Sequence, residues 1–390
     1  MRIALVAEDY YPQLGGVPEH VHNLALQLIK WGHSVTVVTS LMRGAGPDPS
    51  FVRRVGRSRV VYANGGIARI TTGWRLRQRL EELFRAGRYD VVHVHGGLAP
   101  TMGIVAPQAA WRLGIPVVAT FHSWFPTSPS YRVLHHPLQR LLDRHAATIA
   151  VSPPVAQLMS RYFEADWELI PNGVDVEFFR PDAPRPQRTV AGEPSLLFLG
   201  RIEPRNGLGT VLRAMPRVLR RYPRTQLTVV GDGPWLGYYR WRAQPLGLAV
   251  TFVGRVLRER PGYYASADLY LCPTRIASFG VTLLEAMACG TPMVVADNAG
   301  FRALVGTGAE AVFLPPYDDA MWAETVIELL GAPAQRQVMS QAGIAKAADF
   351  AWPLIAQQEL AVYERVAGLV PEGVSTGLER AHPRARDAMS

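Results

Sequence analysis

The sequence predicts an α/β protein made of two doubly wound parallel sheets in tandem, and three observations predict it. The chain has 390 residues, more than the roughly 250 to 300 at which a single hydrophobic core stops growing. Short β-rich runs alternate with helix-period segments along most of the chain, the pattern of strands joined by crossover helices. A turn-rich PNGVD at Pro171–Asp175, followed by a stretch heavy in proline and arginine up to Pro194, cuts this alternation in two. That stretch reads as a linker.

The first series of strands is Ile3–Val6, Val35–Thr39, Val91–Val94, Val117–Thr120, Thr148–Val151 and Trp167–Ile170. Each is short, β-branched or apolar, and most are separated by segments of helical period. A second series follows at Leu196–Leu199, Gln226–Val230, Val250–Val253, Leu269–Cys272, Met293–Ala296 and Ala311–Leu314. Two Rossmann-like domains are therefore expected, at residues 1–175 and 190–350. A last helical pattern from Trp352 to about Val366 is long enough to pack back across the first domain, and the polar residues 370–390 are expected to be disordered.

Composition excludes several classes. No apolar run approaches the roughly 20 residues of a membrane span, and the N-terminus MRIALVAEDYYP enters a strand without a cleavage site. A cytoplasmic protein is expected. Cys272 and Cys289 lack metal-ligand spacing and read as buried thiols. The formal charge of +9 is carried by arginine, Lys30 and Lys346 being the only lysines. Arg53, Arg54, Arg57 and Arg59, then Arg75, Arg77 and Arg79, concentrate it in the first half. Such runs suit an anionic partner, or a plain solvated face. With no zinc-finger spacing and no RNA-binding signature, nucleic acid ranks last among those partners.

The motifs narrow the chemistry. Gly15 and Gly16 follow the first strand and precede a helix with Pro18 in its first turn, where backbone N–H groups can meet an anion. A tight turn is the simpler reading of that pair alone. In LGRIEPRNG, Gly200 leaves a strand end, and Arg201 and Arg205 are expected to face the crevice at the carboxyl ends of the strands. There, planar guanidinium groups suit a diphosphate. VVGDGP, with Gly231, repeats the strand-then-glycine turn. In Ser278–Phe279–Gly280 the glycine frees a helix start for phosphate, and Glu285 projects about two turns on. A carboxylate in an apolar helix asks for a ligand, such as the hydroxyls of a ribose; an arginine partner is the alternative.

In this order and spacing, PNGVD, GRxEPRxG, VVGDGP and SFGxxLLEAMACG resemble the motifs of glycosyltransferase family 4, which has the GT-B fold. The resemblance covers nearly the whole chain. It implies a retaining transfer, with the donor sugar nucleotide held mostly by the second domain, through Gly200, Arg205, Asn206, Gly231, Val256, Ser278, Phe279, Gly280 and Glu285. The acceptor is implied to lie mostly on the first domain, across a cleft. The first half is most similar to the bacterial phosphatidylinositol mannosyltransferase branch: NGGIAR at Asn64–Arg69, preceded by Tyr62, resembles an inositol-phosphate loop, and FHS at Phe121–Ser123 an active-site histidine strand. This implies that Arg69 holds an acceptor phosphate and that His122 lies beside the reacting groups, with Arg201 on the leaving diphosphate. A core histidine is the competing reading of His122. His93 and His95 of VVHVH are read as pointing to opposite faces of one strand, so that at most one reaches the cleft.

The sequence departs from the family at four places. Ala277 stands where a first glutamate is usual and Asn206 where a lysine is usual, with Arg205 or Arg275 available to compensate. Pro18 replaces a glutamine. Leu257 and Arg258, in the GRVLRER loop, stand where a guanine reader would carry a carboxylate. The resulting expectation is a hexose transfer, mannose from GDP-mannose in the favoured form, to a phosphatidylinositol-like lipid or polyol phosphate, with no metal and no resident cofactor. A UDP-sugar enzyme with a soluble acceptor, or a weakened sugar-nucleotide-binding homologue, are the alternatives. Peripheral contact with anionic lipid on the inner membrane face is expected from the arginine runs. Neutral lipid is expected to bind poorly, because no strongly amphipathic segment shows a large aromatic face.

Overall fold

The computed structural model describes residues 1–13, 15–42, 47–63, 66–186, 193–369 and 380–381. In chain order the first elements are β1 (Arg2–Ala7), α1 (Gly16–Lys30), β2 (Ser34–Leu41), β3 (Val52–Ala63), β4 (Gly66–Thr72), α2 (Leu76–Gly87), β5 (Val91–His95) and α3 (Met102–Trp111). They are followed by β6 (Val117–Phe121), α4 (Pro129–Val133), α5 (His135–Leu142), β7 (Ala147–Ala150), α6 (Pro153–Ser160) and β8 (Trp167–Leu169). The second series is β9 (Ser195–Leu199), α7 (Leu208–Arg221), β10 (Gln226–Val230), α8 (Leu236–Ala243), β11 (Val250–Gly254), α9 (Arg260–Ala265) and β12 (Leu269–Cys272). It continues with α10 (Val281–Ala288), β13 (Met293–Ala296), α11 (Ala299–Val305), β14 (Ala311–Leu314), α12 (Asp319–Gly331) and α13 (Pro333–Ala348). Helix α14 (Trp352–Val366) and the short β15 (Arg380–Ala381) close the chain. The chain forms two compact units, Met1–Asn172 with the residues from Trp352 onwards, and Gly173–Ala351.

The first unit is one 9-stranded sheet in the order β15-β8-β7-β6-β5-β1-β2-β3-β4. Only β4 against β3 and β15 against β8 run antiparallel. Strands β1, β5, β6 and β7 are buried along nearly their whole length, as parallel strands covered on both faces must be. One face packs Ile3, Leu5 and Val37 against Leu24 and Leu28 of α1 and Val362 and Tyr363 of α14. The other face packs Ala4, Val6 and Val92 against Leu80 and Phe84 of α2 and Ala106 of α3. Helix α14 turns Trp352, Ile355, Ala356, Glu359, Val362 and Tyr363 inward, a 3-and-4 spacing that puts a carboxylate in the middle of its apolar stripe.

The second unit is a 6-stranded parallel sheet in the order β11-β10-β9-β12-β13-β14. Its core joins Leu196, Phe198, Val211, Met215, Leu227 and Trp322.

Four expectations change. The arginine run at Arg53–Arg59 is a strand: β3 pairs parallel with β2 and antiparallel with β4 at the sheet edge. Solvated arginines on its outer side masked the strand alternation. Arg54 in this run is turned inward, 2.7 Å from Asp48 and bonded to the Tyr11 and Ser40 carbonyls, so it is spent inside the fold. The stretch expected to be a linker packs on the second unit as far as residue 186, with Phe179 buried against Tyr264. Exposed aromatics do form a face, on α8. The polar tail and Asn64 lie outside the described residues, apart from Arg380–Ala381 in β15. Both cysteines are free and buried, and burial pushes their thiols up, as expected of inert thiols.

Candidate active site

In an open parallel sheet a ligand crevice lies at the carboxyl ends of the strands, where the strand order reverses. The reversal falls between β1 and β5 in the first unit and between β9 and β12 in the second. His122 follows β6 near the first reversal, and Gly200, Arg201, Arg205 and Asn206 follow β9 near the second.

In the first unit, His95 ends β5, His122 follows β6, and His20 comes from the second turn of α1. His95 Nδ1 and His122 Nε2 are 3.2 Å apart. His20 Nδ1 is 3.0 Å from Asn172 Oδ1, and its ring packs edge-on to that of His122 with centroids 5.0 Å apart. Asn172, the asparagine of PNGVD, also hydrogen-bonds His122. Behind them His93 meets the Thr120 hydroxyl at 2.7 Å and the Tyr363 hydroxyl at 2.6 Å. The rings of His93 and His95 lie 4.0 Å apart on one face, which corrects the expectation of opposite faces: residues two apart on a strand point the same way.

The fully buried Glu359 of α14 answers this cluster. Its carboxylate lies 3.5 Å from His20 Nε2 and 3.6 Å from His93 Nδ1, and the Tyr363 hydroxyl donates to it at 3.4 Å. Burial alone would raise the Glu359 carboxyl, but His93 and His20 beside it hold it below its ordinary value. Burial lowers His93 to about 4 and drives His95 and His122 well below the usual histidine value. His122 is therefore a neutral ring at pH 7, able to donate or accept a hydrogen bond but not to carry a positive charge. His20, His95 and His122 also present ring nitrogens within 4.8 Å of one another, a grouping able to hold a metal ion. Reading the sequence for ligand spacing missed it, because the three residues come from three elements.

Around this cluster, α1 starts at Gly15–Gly16 with no side-chain cap, leaving its first turn toward solvent. Arg69 on β4 has Nε 3.8 Å from Asp9, just past β1, and donates to Ser58 Oγ at 3.4 Å. Tyr62 is placed by its backbone on β3, opposite Ile67. Glu8, which the sequence did not single out, accepts the N–H groups of Thr101 and Met102 at the start of α3 and the Thr71 hydroxyl. A carboxylate there suits the positive end of the helix.

In the second unit Arg201 and Arg205 come together as expected, but on a shared carboxylate: Glu203 lies 2.5 Å from Arg201 and 3.0 Å from Arg205. Both guanidinium groups remain nearly half exposed, at 42% and 47%, so they keep donors for a phosphate. Asn206 donates to the Arg201 carbonyl at 2.7 Å, holding the loop where a cation was expected. Arg275 donates to the Pro204 carbonyl at 2.6 Å and to the Tyr317 hydroxyl, which sets a third cation beside the same loop. The N–H groups of Gly200 and Gly231 continue the sheet, donating to Val230 and Gly254. Their value is close approach instead: a Cβ on Gly231, at φ 141°, would sit 1.9 Å from the Gly200 carbonyl. Gly280, at φ 127°, opens α10 without a side-chain cap, Ser278 precedes it, and Phe279 is buried against Phe350. Val256 lies apart, past β11, two strands from β9 and roughly 10 Å away at ordinary strand spacing.

Glu285 is buried with partners of its own: Arg260 donates to it at 2.9 Å and the Tyr264 hydroxyl at 2.9 Å, so its burial alone does not call for a ligand. The arginine partner weighed as the alternative is present. It is Arg260, at the end of the GRVLRER loop, where no residue pattern signals this pairing.

Comparison with known proteins agrees with this arrangement. The family described as Glycosyltransferase Family 4 matches residues 14–178, and that described as Glycosyl transferases group 1 matches residues 193–332. The chain is 34% identical to the phosphatidyl-myo-inositol mannosyltransferase of Mycobacterium tuberculosis, over 94% of this chain and 98% of that protein. It is 31% identical to the D-inositol 3-phosphate glycosyltransferase of Segniliparus rotundus, over 71% of this chain and 66% of that one. Among solved structures, sucrose-phosphate synthase from Thermosynechococcus elongatus superposes with a TM-score of 0.70 at 24% identity, covering 94% of this chain and 99% of its own, which shows the shared GT-B fold. The chain is an enzyme and belongs to glycosyltransferase family 4.

Proposed function

We propose that this enzyme moves a hexose, mannose from GDP-mannose in the favoured form, to a phosphatidylinositol-like lipid or related polyol phosphate, with retention at the anomeric carbon. The observation that carries this reading is the end-to-end similarity to proteins named phosphatidyl-myo-inositol mannosyltransferase, at 34% identity over 94% of the chain. Arg69 beside Asp9 and the uncapped start of α1 are the groups that would take the acceptor phosphate.

In this reading the donor diphosphate lies against Arg201, Arg205 and the start of α10. As the bond from C1 to the diphosphate breaks, charge grows on the leaving oxygen, and the guanidinium groups and N–H dipoles stabilise it. The acceptor hydroxyl attacks C1 from the same face and its proton passes to the departing phosphate. Neutral His122 hydrogen-bonds a sugar hydroxyl; it is not the proton donor. Positive charge that a metal would supply elsewhere comes from arginine, and no resident cofactor takes part. The enzyme works at the inner membrane face as a peripheral protein; among the described residues no helix is long and apolar enough to cross a bilayer.

The test is mass spectrometry of products from the purified protein given GDP-mannose, UDP-glucose or UDP-N-acetylglucosamine with total membrane lipid. A hexose added to an inositol phospholipid from GDP-mannose is the expected product. A second reading, a UDP-sugar donor with a soluble acceptor, is favoured by Leu257 and Arg258 in place of a guanine-reading carboxylate. Transfer from a UDP-sugar alone would replace the first reading by the second.

A further inference from the structure

Helix α8 is unlike the rest of the second unit's surface. Trp235, Tyr238 and Trp241 are 44%, 45% and 60% exposed. A spacing of three puts them along one side of the helix, and their rings are continuous, with centroids 5.6 Å and then 6.0 Å apart. Leu248, in the turn that follows, is 90% exposed. Arg240 and Arg242 are exposed on the same helix, the former with its guanidinium 5.9 Å above the Phe252 ring of β11. From Gly233 to Arg258 the chain carries four arginines and no carboxylate.

Neighbouring aromatics left in water are costly, and a contiguous patch of them marks a contact surface. Tryptophan and tyrosine settle at the headgroup level of a bilayer, apolar ring down and polar edge up. Guanidinium groups beside them bind phosphate oxygens in pairs. We propose that the α8 face binds the anionic phospholipid surface, tyrosine and tryptophan seated among the headgroups and Arg240 and Arg242 on their phosphates. Single-stranded nucleic acid also takes aromatics and arginine together; the choice of lipid over it rests on the lipid-acceptor reading. This contact adds to the arginine runs of the first unit, so the second unit holds membrane in its own right.

The test uses the full chain with vesicles of phosphatidylcholine alone or with phosphatidylglycerol, comparing wild type, Tyr238→Ser/Trp241→Ser and Arg240→Ser/Arg242→Ser. The aromatic pair should weaken sedimentation with anionic vesicles at least about tenfold, and the arginine pair should weaken it and reduce its sensitivity to salt. Thermal unfolding and the stabilisation by GDP-mannose should stay close to wild type, since all four residues are exposed and only Arg240 has a ring contact with the sheet, at Phe252. Unchanged vesicle binding by both variants overturns the proposal, as does a loss confined to binding of a single-stranded oligonucleotide. If vesicle binding falls but no sugar reaches an inositol lipid, the surface stands and the acceptor reading fails. If transfer occurs and both variants bind as wild type, the acceptor reading stands and the surface does not.

Discussion

The histidine centre of the first unit and the arginine centre of the second solve the same problem in opposite ways. His20, His93, His95 and His122 are buried, and their hydrogen bonds run inward to Asn172, Thr120, Tyr363 and, at the end, the buried carboxylate Glu359. Arg201 and Arg205 are nearly half in solvent and share one carboxylate, Glu203. In the first, burial keeps His93, His95 and His122 as neutral rings. The second keeps guanidinium donors in solvent beside one carboxylate. In the proposed transfer the first centre would fix orientation and the second would supply charge to the leaving diphosphate.

The largest expected effect tests the buried side. Glu359→Ala removes the carboxylate that accepts from Tyr363 and faces His20 and His93, and should cost about 3 kcal/mol or more in urea unfolding, at about 1 to 3 kcal/mol for each buried donor left without its acceptor. A loss under about 1 kcal/mol, the scale of exposed pairs, would mean that the carboxylate is dispensable. On the exposed side, Arg201→Ala should leave stability alone and lower turnover roughly 100- to 1000-fold, read in steady-state assays with saturating substrates. A similar loss in Arg205→Ala would make the two equivalent; a smaller one would single out Arg201.

Glu285→Gln sharpens the comparison, since Glu285 belongs structurally with the buried kind. It should lower the melting temperature by weakening the Arg260 contact and, if the carboxylate also takes a ribose, weaken donor binding about tenfold. A lower melting temperature with unchanged donor affinity assigns it to the fold alone. A further effect is in pH. The folded values of His93, His95 and His122 lie below the ordinary value because burial disfavours the charged ring. The unfolded chain then binds more protons between about pH 6.5 and 4, so stability should be full above that window and fall as pH drops through it. Differential scanning calorimetry from pH 7.5 to 4.5 checks this; a flat melting temperature would mean that the rings are not buried neutral.

How much of this could be read in the sequence follows from where each signal lies. Parallel strands buried on both faces are continuous apolar runs, so Leu196–Leu199 and Met293–Ala296 were visible as strands. Strand β3 was not, because an edge strand shows one side to water and its arginines looked like a charge run. Glycine and arginine motifs marked the loops at the strand ends of the second unit, since close backbone approach and clustered cations demand particular residue types at short spacing. The histidine network could not be assembled that way: His20, Asn172 and Glu359 are far apart in the chain and meet only after folding. One part was legible and missed. Glu359 stands on the inward side of a helix whose other inward positions are Trp352, Ile355, Ala356, Val362 and Tyr363, and periodicity alone marks it as buried. At Glu285 an apolar helix marks burial, but no short-range signal names Arg260, 25 residues away, as the partner.

The division between the two centres is tested most directly by steady-state kinetics of Arg69→Ala and Arg201→Ala side by side, with GDP-mannose and phosphatidylinositol each varied in turn. Arg69→Ala should raise the KM for the lipid about tenfold, the loss of one charge-assisted phosphate contact, and leave the KM for the donor unchanged. Arg201→Ala should lower kcat and leave the KM for the lipid unchanged. If Arg69→Ala changes the donor constant instead, or if the two variants move both constants alike, acceptor and donor are not divided between these residues and the account is wrong.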